Sequence, residues 1–106
     1  MSQSLLALSP PTLDLSVVLI NWRMRYHLEN CLPTIEAQNP RCSYEVMVIN
    51  KPSEDGTPEW LAGHYPWVRH IPHDVFGFAE MRNVGIRHSR GRVVLMLDAD
   101  TEILPG

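Results

Sequence analysis

Little in this chain supports a staple, a membrane anchor or a polyanion-binding surface. There are two cysteines, Cys31 and Cys42, in 106 residues. With an apolar fraction of 44%, that is no disulfide framework. Both read as free thiols in a reducing compartment, with a Cys31–Cys42 bridge as the alternative. No apolar run approaches the ~20 residues needed to span a bilayer. The N-terminal Leu5-Leu6-Ala7-Leu8 has no basic flank, so it does not read as a signal peptide. The expected location is therefore cytoplasmic, with membrane association left to a larger protein. Formal net charge is -3, with the acids spread along the chain. That argues against nucleic acid, which demands a basic patch. There is one lysine, Lys51; the other eight basic residues are arginines, suited to bidentate pairing with phosphate or carboxylate. Gly-x-Gly-x-x-Gly and Gly-x4-Gly-Lys-Ser/Thr are both absent, which counts against dinucleotide binding and P-loop hydrolysis. Internal repeats and low-complexity tracts are absent as well.

What is present is an alternation of short apolar runs with helical patterns. Residues 1–13, with Ser-Pro-Pro-Thr, read as a loose leader, and residues 14–106 as one domain. Leu15 to Asn21 is rich in β-branched residues and reads as a strand buried on both faces. Leu28, Cys31, Leu32 and Ile35 fall at helical spacing within 25–38, although Pro33 removes one hydrogen bond there and favours a kink. Tyr44 to Asn50 is a second buried strand. Lys51 to Gly56 is a polar loop. Thr57-Pro58-Glu59 then predicts a helix to about His64, with a hydroxyl N-cap, proline at the first position and an acid in the first turn. A weaker strand is expected over 67–71, a helix over 80–89 ended by Gly91, and a strongly apolar strand over 92–97. Parallel strands need crossovers of a dozen or more residues, which the helices supply. The fold class is thus α/β: an open, mainly parallel sheet with helices on both faces, Rossmann-like.

In such a sheet, ligands bind beyond the carboxyl ends of the strands. Asn21-Trp22-Arg23, Asn50 to Asp55 and Asp98-Ala99-Asp100 all fall there. Asp98 and Asp100 are spaced i, i+2, which on an extended backbone puts both carboxylates on one side. A divalent cation relieves their repulsion and completes its shell with phosphate oxygens; the bland alternative is a solvated acidic turn. His70 and His73 form the closest histidine pair, but no second pair supports zinc, so the histidines read as surface or capping residues. Trp60 and Trp67 read as packing residues, and Gly77, Gly85 and Gly91 as backbone or packing requirements.

Four segments, in order, resemble the family 2 glycosyltransferases of the A-type fold. They are Ser16 to Asn21; Asn50-Lys-Pro-Ser53-Glu-Asp55-Gly56-Thr57, against the pattern Asp-x-x-Ser-x-Asp-Gly-Thr; Gly77-Phe-Ala79-Glu-Met-Arg82-Asn83-Val-Gly85, against Gly-x-Ala-x-x-Arg-Asn-x-Gly; and Leu97-Asp98-Ala-Asp100, against a strand ending in Asp-x-Asp. The match covers about residues 15 to 104. Asn21-Trp22 is similar to the rhamnosyltransferase-like branch. The resemblance implies the nucleotide-sugar-binding half of an inverting transferase, cut after its fourth strand, that takes a UDP- or dTDP-sugar with Mn²⁺ or Mg²⁺. Asp100 would be the metal ligand, with Asp98 on the ribose or in the metal shell. Asn21, Asn50, Ser53, Asp55, Arg82 and Asn83 would line the nucleotide site. The family's general base lies beyond Asp-x-Asp, so no catalytic residue is assigned here. The acceptor, saccharide or lipid-linked glycan, is left open. Asn50 stands where the family has Asp and loses a charge-assisted bond to the base; Lys51-Pro52 replaces Asn-Gly and stiffens the loop. An inactive nucleotide-binding or interaction module is the alternative reading. A third reading, a nucleotidyltransferase on a similar fold, is disfavoured because the Gly-rich signature such enzymes carry near the first strand is absent from this sequence. Strand 93–97 carries no charge and no proline, so self-association through it is a further expectation.

Overall fold

The computed structural model describes residues 12–38, 41–74 and 77–98. In chain order these form β1 (Leu13–Asn21), α1 (Arg25–Gln38), β2 (Tyr44–Asn50), α2 (Thr57–His64), β3 (Arg69–Pro72), α3 (Phe78–His88) and β4 (Gly91–Asp98). The four strands make one sheet in the order β3-β2-β1-β4, every pairing parallel. The α/β class and the helix-strand alternation expected from the sequence are therefore observed.

The central strands are buried from Ser16 to Asn21 and from Val46 to Asn50. Because side chains alternate across the sheet, each strand feeds two cores. Val17, Leu19, Val46 and Val48 face α1 and α2, where they meet Leu28, Cys31, Leu32, Ile35 and Leu61. Val18, Ile20, Met47 and Ile49 face α3 and meet Met81 and Val84. Helices thus cover both faces. Each such fully buried aliphatic side chain contributes about 1.5–3 kcal/mol. The four α1 residues expected at helical spacing are the four it buries, and the helix runs through Pro33. Cys31 is buried and Cys42 exposed, and the two are not joined in a disulfide.

Several boundaries differ from the sequence reading. β1 begins at Leu13, inside the expected leader, because the Leu13 amide is held by Arg90 O at 3.1 Å. β3 covers 69–72 rather than 67–71. The Val68 amide turns back to Tyr65 O at 3.0 Å, leaving Trp67 43% exposed against the edge of Tyr65 rather than in the core. α3 starts two residues early and ends at His88; Gly91 does not stop it but opens β4. A Cβ on Gly91 would run into the Ser16 amide nitrogen and lie 2.5 Å from the Leu15 carbonyl carbon, so close strand approach explains this glycine. Gly85 is likewise a packing requirement, since a Cβ there would lie 2.5 Å from Val18 Cγ1. Gly77 is neither: its φ of 173° is extended backbone, and nothing lies within 4 Å of a Cβ there.

A polar cluster that sequence reasoning missed fastens the amino ends of the strands. Glu45 accepts from Ser16 Oγ (2.6 Å), the Arg90 amide (2.7 Å) and Arg69 Nη1 (2.8 Å). Burial alone would raise its carboxyl pKa, but the bonds from Ser16, Arg69 and Arg90 outweigh it and hold the group below the usual range.

Candidate functional site at the carboxyl ends of the strands

β1 and β2 each end in a buried asparagine, and the two sit side by side in register. Asn21 Nδ2 donates to Asn50 Oδ1 at 2.7 Å and, more weakly, to Thr57 Oγ1 at 3.4 Å. Asn21 Oδ1 accepts the Met24 amide at 3.2 Å, which shapes the β1–α1 turn. Within that turn Arg23 has φ 58°, a left-handed conformation unusual for a side-chain-bearing residue. On the other side, Asn50 Nδ2 lies 3.1 Å from His70 Nε2. Asn21 and Asn50 are 0% and 1% exposed, so they form the floor of the site rather than its open surface.

Asp55 stands above this floor. Its Oδ1 accepts both the Thr57 amide (3.1 Å) and the Thr57 hydroxyl (2.8 Å). The Thr57 hydroxyl was expected to cap α2; it has no capping bond, and Asp55 instead secures the first turn. Gly56 precedes the helix at φ 76°, where a side chain would be strained. Pro58 and Glu59 occupy the first turn as expected. Burial would raise the Asp55 carboxyl pKa, but the two Thr57 bonds, with smaller contributions from the Ser53 hydroxyl and the Arg25 amide, outweigh it and hold the group below its ordinary value. Asp55 Oδ2 and Ser53 Oγ are buried without a hydrogen-bonded partner of good geometry among the described residues. A shallow open hollow lies beside them, lined by Ser53, Glu54 and Asp55 and by Arg23, Arg25 and Tyr26. Lys51 is drawn away from it, donating to Asp74 O at 3.2 Å.

A second group lies on the α3 side. Asp98 ends β4, its side chain 65% exposed, and Arg82 Nη2 approaches its Oδ1 at 3.8 Å. Arg82 also lies over the Phe78 ring. Asn83 is exposed on α3. Asp100, expected to be the metal ligand, lies outside the described residues. Among those residues, no group of three or more His, Cys, Asp or Glu is placed to hold a metal. The structure thus brings Asn21, Asn50, Ser53 and Asp55 together, and Arg82 with Asp98.

The histidines divide. His64 and His88 turn their Nδ1 atoms to the carbonyls of Trp60 and Val84 in the last helical turns, as capping residues do. His73 lies 3.4 Å from Glu80. His70 is half-buried and caps no helix. It is part of the site floor, and its sequence signals were a place on a short strand and its spacing from His73. Thr57 was read as a cap, and Arg25 was overlooked because its helical position gave it a sufficient explanation.

An open parallel α/β sheet with a polar floor at the strands' carboxyl ends defines a Rossmann-like domain whose ligand site is expected at that edge. Residues 16–106 match the family model for glycosyl transferase family 2, and the chain belongs to that family. Glycosyltransferase AglE of Haloferax volcanii is 30% identical over 91 residues, covering 80% of this chain and 30% of that protein. A solved mannosyltransferase from Pyrobaculum calidifontis, in complex with GDP-Man and Mn²⁺, is similar with a TM-score of 0.73 and 28% identity. That match covers 91% of this chain and 31% of the other. The S. aureus TarS structure shares the fold, with a TM-score of 0.75 at 22% identity over 85% of this chain and 28% of its own. The chain therefore spans less than a third of the length of these relatives. Among the described residues, no helix is long and apolar enough to cross a membrane.

Proposed function

We propose that the chain supplies the donor-binding part of a glycosyltransferase, taking a nucleoside-diphosphate sugar of the UDP or dTDP type with Mn²⁺ or Mg²⁺. The observation that carries this reading is Asp55. It is an ionised carboxylate with one oxygen fixed by Thr57 and the other held only loosely, beside a hollow lined by Arg23 and Arg25, at the strand ends of a family 2 domain. Asp55 Oδ2 and Ser53 Oγ are suited to the hydroxyls and ring N–H of a nucleoside. Arg23, which lines the hollow and lies over the Trp22 ring, is suited to the diphosphate. Asn21 and Asn50 act from beneath, by holding the two loops in register.

Asp98 fits a hard divalent cation: its carboxylate is exposed and only loosely paired with Arg82. Asp98 and Asp100 would hold the metal, whose charge would stabilise the departing diphosphate. In the inverting reaction, the acceptor hydroxyl oxygen bonds to the anomeric carbon from the face opposite the diphosphate. The sugar–phosphate bond breaks, and the hydroxyl proton passes to a general base assigned to no residue here.

Titration calorimetry of UDP, dTDP and GDP, each with Mn²⁺ and with chelator, tests this. Weak, Mn²⁺-dependent binding of the pyrimidine nucleotides is expected, lost in Asp100→Ala. Equal binding with and without metal would remove Asp98 and Asp100 from a metal role, and tighter binding of GDP would overturn the pyrimidine assignment.

A further inference from the structure

One fixed donor sets the direction of every hydrogen bond in the site floor. The Met24 backbone N–H can only donate, so the atom of Asn21 facing it at 3.2 Å must be Oδ1. Asn21 Nδ2 then faces Asn50, whose facing atom at 2.7 Å must be Oδ1. That leaves Asn50 Nδ2 against His70 Nε2 at 3.1 Å. Two donors cannot share that contact, so Nε2 must be the unprotonated nitrogen and the ring proton must sit on Nδ1.

We propose that His70 is a positioning residue: its unprotonated Nε2 locks Asn50 and Asn21 in one orientation, and a proton on that nitrogen reverses both carboxamides and releases the β1–α1 turn. A protonated Nε2–H would demand Asn50 Oδ1. Asn50 Nδ2 would then meet Asn21 Nδ2, so Asn21 would turn as well. Its Nδ2 would then face the Met24 N–H, and the bond that shapes the turn around Arg23 would be lost. The effect travels from β3 to β1 through three side chains with two discrete arrangements each.

The charge surroundings of His70 set the pH range. Burial pushes the imidazole below its ordinary value, and Glu59 on α2 opposes that by favouring the cation. From β2 the ring meets the uncharged Asn50. Its chain neighbour Arg69 pairs with Glu45 at 2.8 Å. A histidine with a depressed folded pKa contributes stability that is present above the unfolded value of about 6.5 and lost as pH falls through the folded value. The locked arrangement is thus the neutral-pH state.

The lock needs no ligand. Its consequence for donor binding rests on the function proposed above, so the experiment has two arms. The first is NMR of the full chain without ligand. Above pH 7, the His70 ring nitrogens should show the Nδ1–H form. On acidification, the Met24 amide should shift with the same midpoint as His70, below 6.5. In His70→Gln, whose side-chain oxygen accepts from Asn50 at every pH, the Met24 amide should no longer follow that midpoint. A neutral His70 in the Nε2–H form, or a Met24 amide that ignores the His70 midpoint, overturns the proposal even if the variant does not fold. The second arm measures UDP–Mn²⁺ affinity across the same range. A fall about fivefold larger in the parent chain than in His70→Gln, the equivalent of one hydrogen bond, is expected, the titration of the nucleotide's own phosphate being common to both. Absence of nucleotide binding with the NMR coupling intact would sink the functional reading and leave the lock standing.

Discussion

Thr57→Val is a near-isosteric test of the site floor. Thr57 is fully buried, and its hydroxyl donates to Asp55 Oδ1 at 2.8 Å while receiving Asn21 Nδ2 at 3.4 Å. Valine keeps the shape and the backbone N–H bond to Asp55 but removes the hydroxyl. The main loss is one part-buried bond to a charged acceptor, worth about 1.5–3 kcal/mol. The bond from Asn21 is long, and Asn21 Nδ2 keeps its 2.7 Å contact to Asn50, so its share is small. For a domain of this size, that loss corresponds to a drop of roughly 10 °C in melting temperature. The sign of the pH dependence separates this bond from simple packing. The folded Asp55 carboxyl lies below its unfolded value of about 3.9. The stability it contributes is therefore present above pH 3.9 and lost as pH falls through the folded value. Removing the hydroxyl weakens that depression, so the Asp55 titration midpoint should move upward toward 3.9. The measurements are thermal melts at pH 7 and carboxyl-detected NMR titration of Asp55. An unchanged Asp55 midpoint alongside a full loss of melting temperature would refute the reasoning and make Thr57 a packing residue.

Gly91→Ala should destabilise by about 1–3 kcal/mol in urea unfolding, because the added methyl meets β1 backbone that cannot turn aside. Gly63→Ala is its control: a helical site with nothing within 4 Å, expected to gain roughly 0.5–1 kcal/mol. We further propose that β4, with β1 as its sole sheet neighbour among the described residues and with Val93 and Leu95 at 57% and 42% exposure, pairs with a second copy of the chain. Light scattering across a concentration series should show association, and a monodisperse monomer with fast-exchanging amides over 93–97 would exclude it.

The sheet was legible in the sequence because strands buried on both faces carry continuous apolar runs, and Val17 to Ile20 and Val46 to Ile49 are such runs. The α1 stripe was legible through its spacing. The ends of elements were not. Turn geometry, as at Tyr65 and Val68, or a backbone approach, as at Gly91 and Ser16, fixed them, and neither leaves a periodic trace. The location of the site followed from topology alone, since segments after parallel strands converge at one edge of the sheet. Its wiring did not follow. Asn21 meets Asn50 across 29 residues and Asn50 meets His70 across 20, and no local pattern marks such contacts. The asparagine at position 50 shows why this matters. Compared only with the family's aspartate, it reads as a weaker contact to a base. In place, it is a buried amide whose donor needs an acceptor, and His70 supplies one. A carboxylate at position 50 would accept from Asn21 but could not donate to His70, and would favour a protonated ring there instead. Asn50 and an unprotonated His70 are therefore best understood as one feature of this chain, and substitution of either should be judged by what it leaves unpaired on the other.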